Sequence, residues 1–139
     1  MKQLTFNTSL IILSLVLFLS CNKNTEEVKD QSVKEDEIFN FVEQMPEFPD
    51  GPAAMTKFIN DNIRYPEEAR LQKIEGTVVI QFVVTKEGKI TKATVVRGIG
   101  YGCDEEAIRV IQSMPDWKPG KHNNKAVHVN FTLPVKFKL

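Results

Sequence analysis

The sequence is poor in the groups from which catalytic and metal sites are usually built. It holds two histidines and two cysteines in 139 residues. No His-Glu-x-x-His and no paired-cysteine spacing occurs, so no metal site is expected. A dyad of Cys103 with a histidine would need a third orienting group and a cleft, and nothing in the sequence points to either. The adjacent carboxylates at Glu67-Glu68 and Asp104-Glu105-Glu106 are read as helix N-terminal charges rather than as an acid/base pair. Charge of one sign is also missing. Eighteen basic residues balance eighteen acidic ones, so no net field favours nucleic acid. These absences argue against an enzyme and against a cofactor.

The balance conceals a division along the chain. Residues 22–50 carry three lysines against nine acids, six net negative charges, whereas residues 51–139 carry fourteen basic residues against nine acids. A polar acidic stretch ahead of a basic body reads as a solvated tether followed by a folded unit. Ahead of both, Lys2 precedes an apolar run from Leu10 to Leu19 that ends at Leu19-Ser20-Cys21. The run is of signal-peptide length and falls short of the roughly 18 apolar residues of a membrane span. A small residue followed by cysteine resembles a bacterial lipoprotein cleavage box, in which the Cys21 thiol is acylated. Phe18 stands where that box usually has leucine. With Cys21 so used, Cys103 has no partner and reads as a small buried hydrophobe. The expected organisation is a lipoprotein signal peptide over 1–20, an acidic flexible tether over 21–44 and one domain over 45–139.

The patterns in the body are those of a small α+β unit. Pro52 suits the first turn of a helix, and Met55, Phe58, Ile59 and Ile63 follow at helical spacing. Pro66 cannot continue that helix but can start another. Residues 77–84 and 90–97 read as strands of a hairpin, with Gly88 at a positive-φ position in the turn. Asp104 is expected to cap a helix whose apolar stripe is Ala107, Ile108, Ile111 and Met114, and Pro115 ends it. Gly98-x-Gly100-x-Gly102 lies between strand and helix. Its spacing does not fit the dinucleotide fingerprint, and the acids after it would repel phosphate, so it is read as a conformational link.

The last segment alternates cleanly. Val127, Val129, Phe131, Leu133, Val135, Phe137 and Leu139 interleave with His128, Asn130, Thr132, Pro134, Lys136 and Lys138. Period two predicts one face in the core and one in water. Pro134 lacks an N–H and places this strand at an edge or a bulge. An open edge can template a partner strand, or it can simply be blocked by Pro134, Lys136 and Lys138. The expected fold is a small antiparallel three-stranded sheet with helices packed on one face.

Several segments occur together in an order that resembles a known family. They are Met45-Pro46-Glu47-Phe48-Pro49-Asp50-Gly51, Tyr65-Pro66-Glu67-Glu68-Ala69, residues 75–84, Gly88-Lys89-Ile90, Asp104-Glu105-Glu106-Ala107, residues 114–120 and residues 127–137. The set is similar to the TonB C-terminal domain in the form common in Bacteroidetes envelopes. That resemblance implies binding of a short peptide of TonB-dependent outer-membrane transporters by strand addition at the final strand. Carried over by position, it implies partner-binding roles for Asn62, Arg64, Tyr65 and Pro66, together with His128, Asn130 and Thr132. Family transducers also have an inner-membrane anchor and a long proline-rich linker, which these residues do not show. The expectation is therefore a lipid-anchored envelope protein, in the outer membrane facing the periplasm. It binds a transporter or another envelope protein, with a second copy of the chain as a further candidate partner. A structural or regulatory lipoprotein without energy transduction is the alternative.

Overall fold

The structure, a computed structural model, describes residues 37–139; the expected signal peptide, Cys21 and most of the tether lie outside them. No helix among the described residues is long and apolar enough to cross a membrane. The chain order is β1 (Ile38–Phe39), α1 (Gly51–Asn62), α2 (Glu67–Leu71), β2 (Gly76–Val84), β3 (Ile90–Arg97), α3 (Cys103–Gln112), β4 (Lys121–His122), β5 (Lys125–Ala126) and β6 (His128–Phe137). The main sheet has the order β1-β6-β2-β3. It therefore has four strands rather than three, and it is mixed, because β1 runs parallel to β6. The added strand comes from the expected tether. A two-residue strand carries no periodicity from which it could be predicted; Ile38 and Phe39 pair because β6 offers an edge beside them.

The β2–β6 ladder is the spine of the fold. Nine residue pairs run without interruption from Gly76↔Phe137 to Val84↔Val129. Val78, Ile80, Phe82 and Val84 of β2 and Leu133, Val135 and Phe137 of β6 are buried on one face. The intervening Thr132, Pro134 and Lys136 are exposed on the other, as the alternation requires. Trp117 closes one end of this core. Its ring lies 5.5 Å from that of Phe82, 5.0 Å from Phe131 and 5.8 Å from Phe48, each edge-on, the geometry that aromatic quadrupoles favour.

The β2–β3 turn holds Trp117 in place. Gly88 adopts φ +83°, and its carbonyl accepts the Trp117 N–H at 2.8 Å. A Cβ on Gly88 would stand 2.0 Å from the Trp117 carbonyl oxygen. The glycine is required both by backbone conformation and by this close approach.

α3 packs against β2 and β3 and buries Cys103, Ala107, Val110 and Ile111. Ile108 and Met114, expected on that face, are half-buried at its margin. Asp104 is not the N-cap. Gly102 holds that position, and Asp104 sits within the first turn of the helix. Its carboxylate reaches back and accepts the N–H groups of Ile99 at 2.9 Å and Gly100 at 3.2 Å. The glycine-spaced loop thus wraps an internal carboxylate.

Glu106, in the same first turn, ties α3 to the α1–α2 connection. It accepts the Arg64 N–H at 2.7 Å and the Arg109 guanidinium at 2.6 and 2.9 Å, and Arg109 also donates to the Asn62 carbonyl at 2.8 Å. The Arg109 hydrogen bond holds the Glu106 carboxyl below its ordinary value, against the opposing effect of burial.

Two outcomes follow for stability. Gly88→Ala is expected to cost at least about 2 kcal/mol, from the positive φ and the clash with the Trp117 carbonyl, read as a lowered urea midpoint with Trp117 fluorescence as probe. For Glu106 the folded-state value is depressed, so the unfolded chain binds the extra proton. Its contribution is whole above about pH 4.5, the ordinary glutamate value, and is lost as pH falls through the lower folded-state value. Glu106→Gln should flatten the pH dependence of stability in that window and leave it unchanged in slope near neutrality.

Candidate partner-binding edge

A four-stranded open sheet has two flanks, and this one treats them differently. On the β3 side the register steps twice. It passes from Val79↔Arg97 to Ile80↔Val95, and from Gln81↔Thr94 to Val83↔Thr91. Each step places one extra residue on β3, and one of these segments contains Lys92 at φ +53°. Bulges and a lysine on an outer strand twist its backbone away from a flat docking geometry. β6 has no such interruption against β2.

The outer flank of β6 is covered at one end alone. β1 pairs Ile38 with His128 and Phe39 with Val129, in parallel. Beyond that point, from Asn130 to Phe137, β6 has no second strand partner among the described residues. Pro134 lies in this stretch, where a missing N–H is tolerated. The chain leaves the flank at Asn40, whose side-chain oxygen accepts the Asn130 amide at 2.8 Å. It then passes along the Trp117 end of the core through antiparallel bridges Gln44↔Lys121 and Glu47↔Lys118. Between this segment and the sheet lies a groove of about 440 Å³. Asn40, Phe41 and Met45 form one wall, and Gln81, Asn130, Phe131 and Thr132 the other.

The seven residues expected to bind a partner fall into two separate groups. His128, Asn130 and Thr132 share the open face of β6. The His128 ring nitrogen Nδ1 accepts the Lys86 N–H at 3.3 Å, which anchors the start of β6 to the hairpin turn. Asn62, Arg64, Tyr65 and Pro66 lie in the α1–α2 connection at the other end of the sheet. The Tyr65 ring stands 5.7 Å from that of Phe137, edge-on, and its hydroxyl donates to the Ile74 carbonyl. Thr132 lies five residues from Phe137, about 17 Å along the strand, and faces the opposite side of the sheet. The structure therefore brings together the three β6 residues, and separately ties Asn62 and Arg64 to α3, without joining the two sets into one surface.

Sequence reasoning did not pick out Phe41 and Met45. The signal was present: Ile38-Phe39-Asn40-Phe41-Val42 is an apolar island in an acidic stretch, and Phe41 remains 87% exposed in the fold. Elsewhere the chemistry is quiet. Burial pushes the Cys103 thiol up, with Asp104 and Glu105 adding to the effect, which disfavours the nucleophilic thiolate. No group of three potential metal ligands occurs among the described residues. Cys21, the expected lipidation site, lies outside them.

Comparison with known proteins gives the architecture a family. Residues 61–139 match the family model described as Gram-negative bacterial TonB protein C-terminal. No curated protein matches the chain. Two solution structures of the Helicobacter pylori TonB C-terminal domain are similar to it. One, of residues 194–285, is 23% identical with a TM-score of 0.47, covering 62% of this chain and 90% of that one. The other, of residues 179–285, is 22% identical with a TM-score of 0.42, covering 61% and 78%. The family match spans more than half of the chain, from the end of α1 through β6. The chain thus belongs to the family of Gram-negative bacterial TonB C-terminal domains.

Proposed function

We propose that this domain is a protein-binding module of the cell envelope that takes an extended peptide as an added strand along β6. The peptide is the exposed segment of a TonB-dependent outer-membrane transporter or of another envelope protein. One observation carries the reading: β6 is regular, open from Asn130 to Phe137, and flanked by a groove, whereas the opposite outer strand is bulged. Backbone N–H and C=O groups along such a flank provide affinity, and the side chains beside it provide selectivity. Asn130 and Thr132 are the partner-facing residues of this proposal, whereas His128, also expected there, lies where β1 already pairs with β6. Asn62, Arg64, Tyr65 and Pro66 would act on a peptide long enough to reach the far end of β6.

Lipid anchoring through Cys21 is the second part of the proposal and rests on the sequence: a charged start, an apolar run and a small residue before the cysteine. An anchor of that kind in the outer membrane would leave the domain without a route to proton-motive force. It would then serve as a structural or regulatory binding subunit rather than a transducer.

Titration of the chain with TonB-box peptides, followed by amide hydrogen exchange, tests the docking reading. Binding should slow exchange at those amides of residues 130–137 that are not already bonded to β2, Pro134 having none, and leave β3 unchanged. Thr132→Pro should weaken binding at least about tenfold, roughly 1.4 kcal/mol or more, with melting and far-UV spectra confirming the fold. Unprotected β6 amides at saturating peptide would exclude strand addition. For the anchor, palmitate labelling and membrane fractionation should show label in the parent chain and none in Cys21→Ala. Equal labelling, or recovery of both proteins in the soluble fraction, would exclude lipidation at Cys21.

A further inference from the structure

Strand addition through backbone alone accepts almost any extended sequence, so discrimination must come from side-chain pockets beside the strand. The groove next to β6 lies where such a pocket is needed. It begins where β1 ends, and its far wall is formed partly by Asn130, Phe131 and Thr132 of the open flank. Its volume of about 440 Å³ equals that of roughly fifteen liquid waters, more than a side chain of the added strand requires. The chemistry of the lining is selective. Asn40, Gln81, Asn130 and Thr132 are polar and uncharged, Phe41, Met45 and Phe131 are apolar, and no charged residue takes part among the described residues.

Phe41 and Met45 stay 87% and 41% exposed. They are nonetheless held on a fixed span, because Phe39 pairs in β1 and Gln44 bridges to Lys121 on either side of Phe41. Large apolar groups presented in this way beside an open flank are arranged to bury against an incoming chain at small ordering cost. The Asn130–Asn40 amide bond closes the β1 end and marks where an added strand must stop.

Resting on the strand-addition reading, we propose that this groove selects one side chain of the partner strand. It takes a peptide that places an uncharged, apolar residue of about leucine size between Phe41, Met45 and Phe131. An ionised residue at that point would lose hydration against three apolar side chains with no counter-charge in the lining.

The test is a positional scan. Octapeptides of serine and threonine with blocked ends, carrying Leu, Gly, Asp or Lys at each position in turn, are titrated against the full chain while β6 amide exchange is followed. At one position Leu should bind about tenfold more tightly than Gly, Asp or Lys, as expected for burying much of one aliphatic side chain. Phe41→Ser, at a site too exposed to affect folding, should reduce that preference to about twofold by loss of apolar contact, with β6 amides still protected. An unchanged Leu preference in Phe41→Ser overturns the groove assignment and leaves strand addition standing. So does equal binding of Leu and Asp peptides at every position. If no peptide protects β6, strand addition itself fails, and the groove assignment with it.

Discussion

The nine-pair ladder between β2 and β6 is the constraint from which the rest of the molecule follows. Because side chains alternate across a sheet, this one register decides that Phe82, Leu133, Val135 and Phe137 face the helices while Thr132, Pro134 and Lys136 face water. A slip by one residue would invert every assignment along both strands. The register also brings Phe82 and Phe131 opposite each other, the pair on which Trp117 rests. Trp117 in turn is fixed by the Gly88 carbonyl, so the hairpin turn, the aromatic cluster and the central ladder form one cooperative unit.

Around that unit the chain distributes order unevenly. Tyr65 and Pro66, to which the family resemblance assigns partner contacts, also take part in architecture: the Tyr65 ring packs on Phe137 and its hydroxyl donates to the Ile74 carbonyl, while Pro66 starts α2. The Glu106–Arg109 pair fixes the same connection from the side of α3. In the acidic first turn of α3, Asp104 and Glu106 turn back onto the chain, with Asp104 occupying the N–H groups of Ile99 and Gly100 in the glycine loop. Anion binding at that helix start is thereby excluded by the chain's own carboxylate.

Much of this was legible in the residues. The β2–β3 hairpin, the positive φ at Gly88, the helix start after Pro66 and the alternation of β6 all follow from local rules that the tertiary structure does not override. Local rules fail where the cause is distant. β1 exists because β6 lies beside it, and two residues carry no period of their own. Asp104 is expected as a cap because aspartate favours that position, yet Gly102 in a left-handed conformation starts the helix and frees Asp104 to bind the loop. Whether residues 62–66 and 128–132 meet could not be read from spacing, since it depends on the direction and length of β6. The same dependence on the folded path conceals the groove: Phe41 and Phe131 are ninety positions apart in the sequence and line one cavity.

The unequal flanks of the sheet have a consequence for assembly. Continuous stacking of strands into a fibre requires two complementary growing ends on every subunit. Here β3, with its two extra residues, provides a poor one. β6 is already shortened by β1. A molecule with a single reactive side behaves like a monofunctional monomer in a polymerisation: its first coupling, to a foreign strand or to its own twin across a two-fold axis, is also the terminating step.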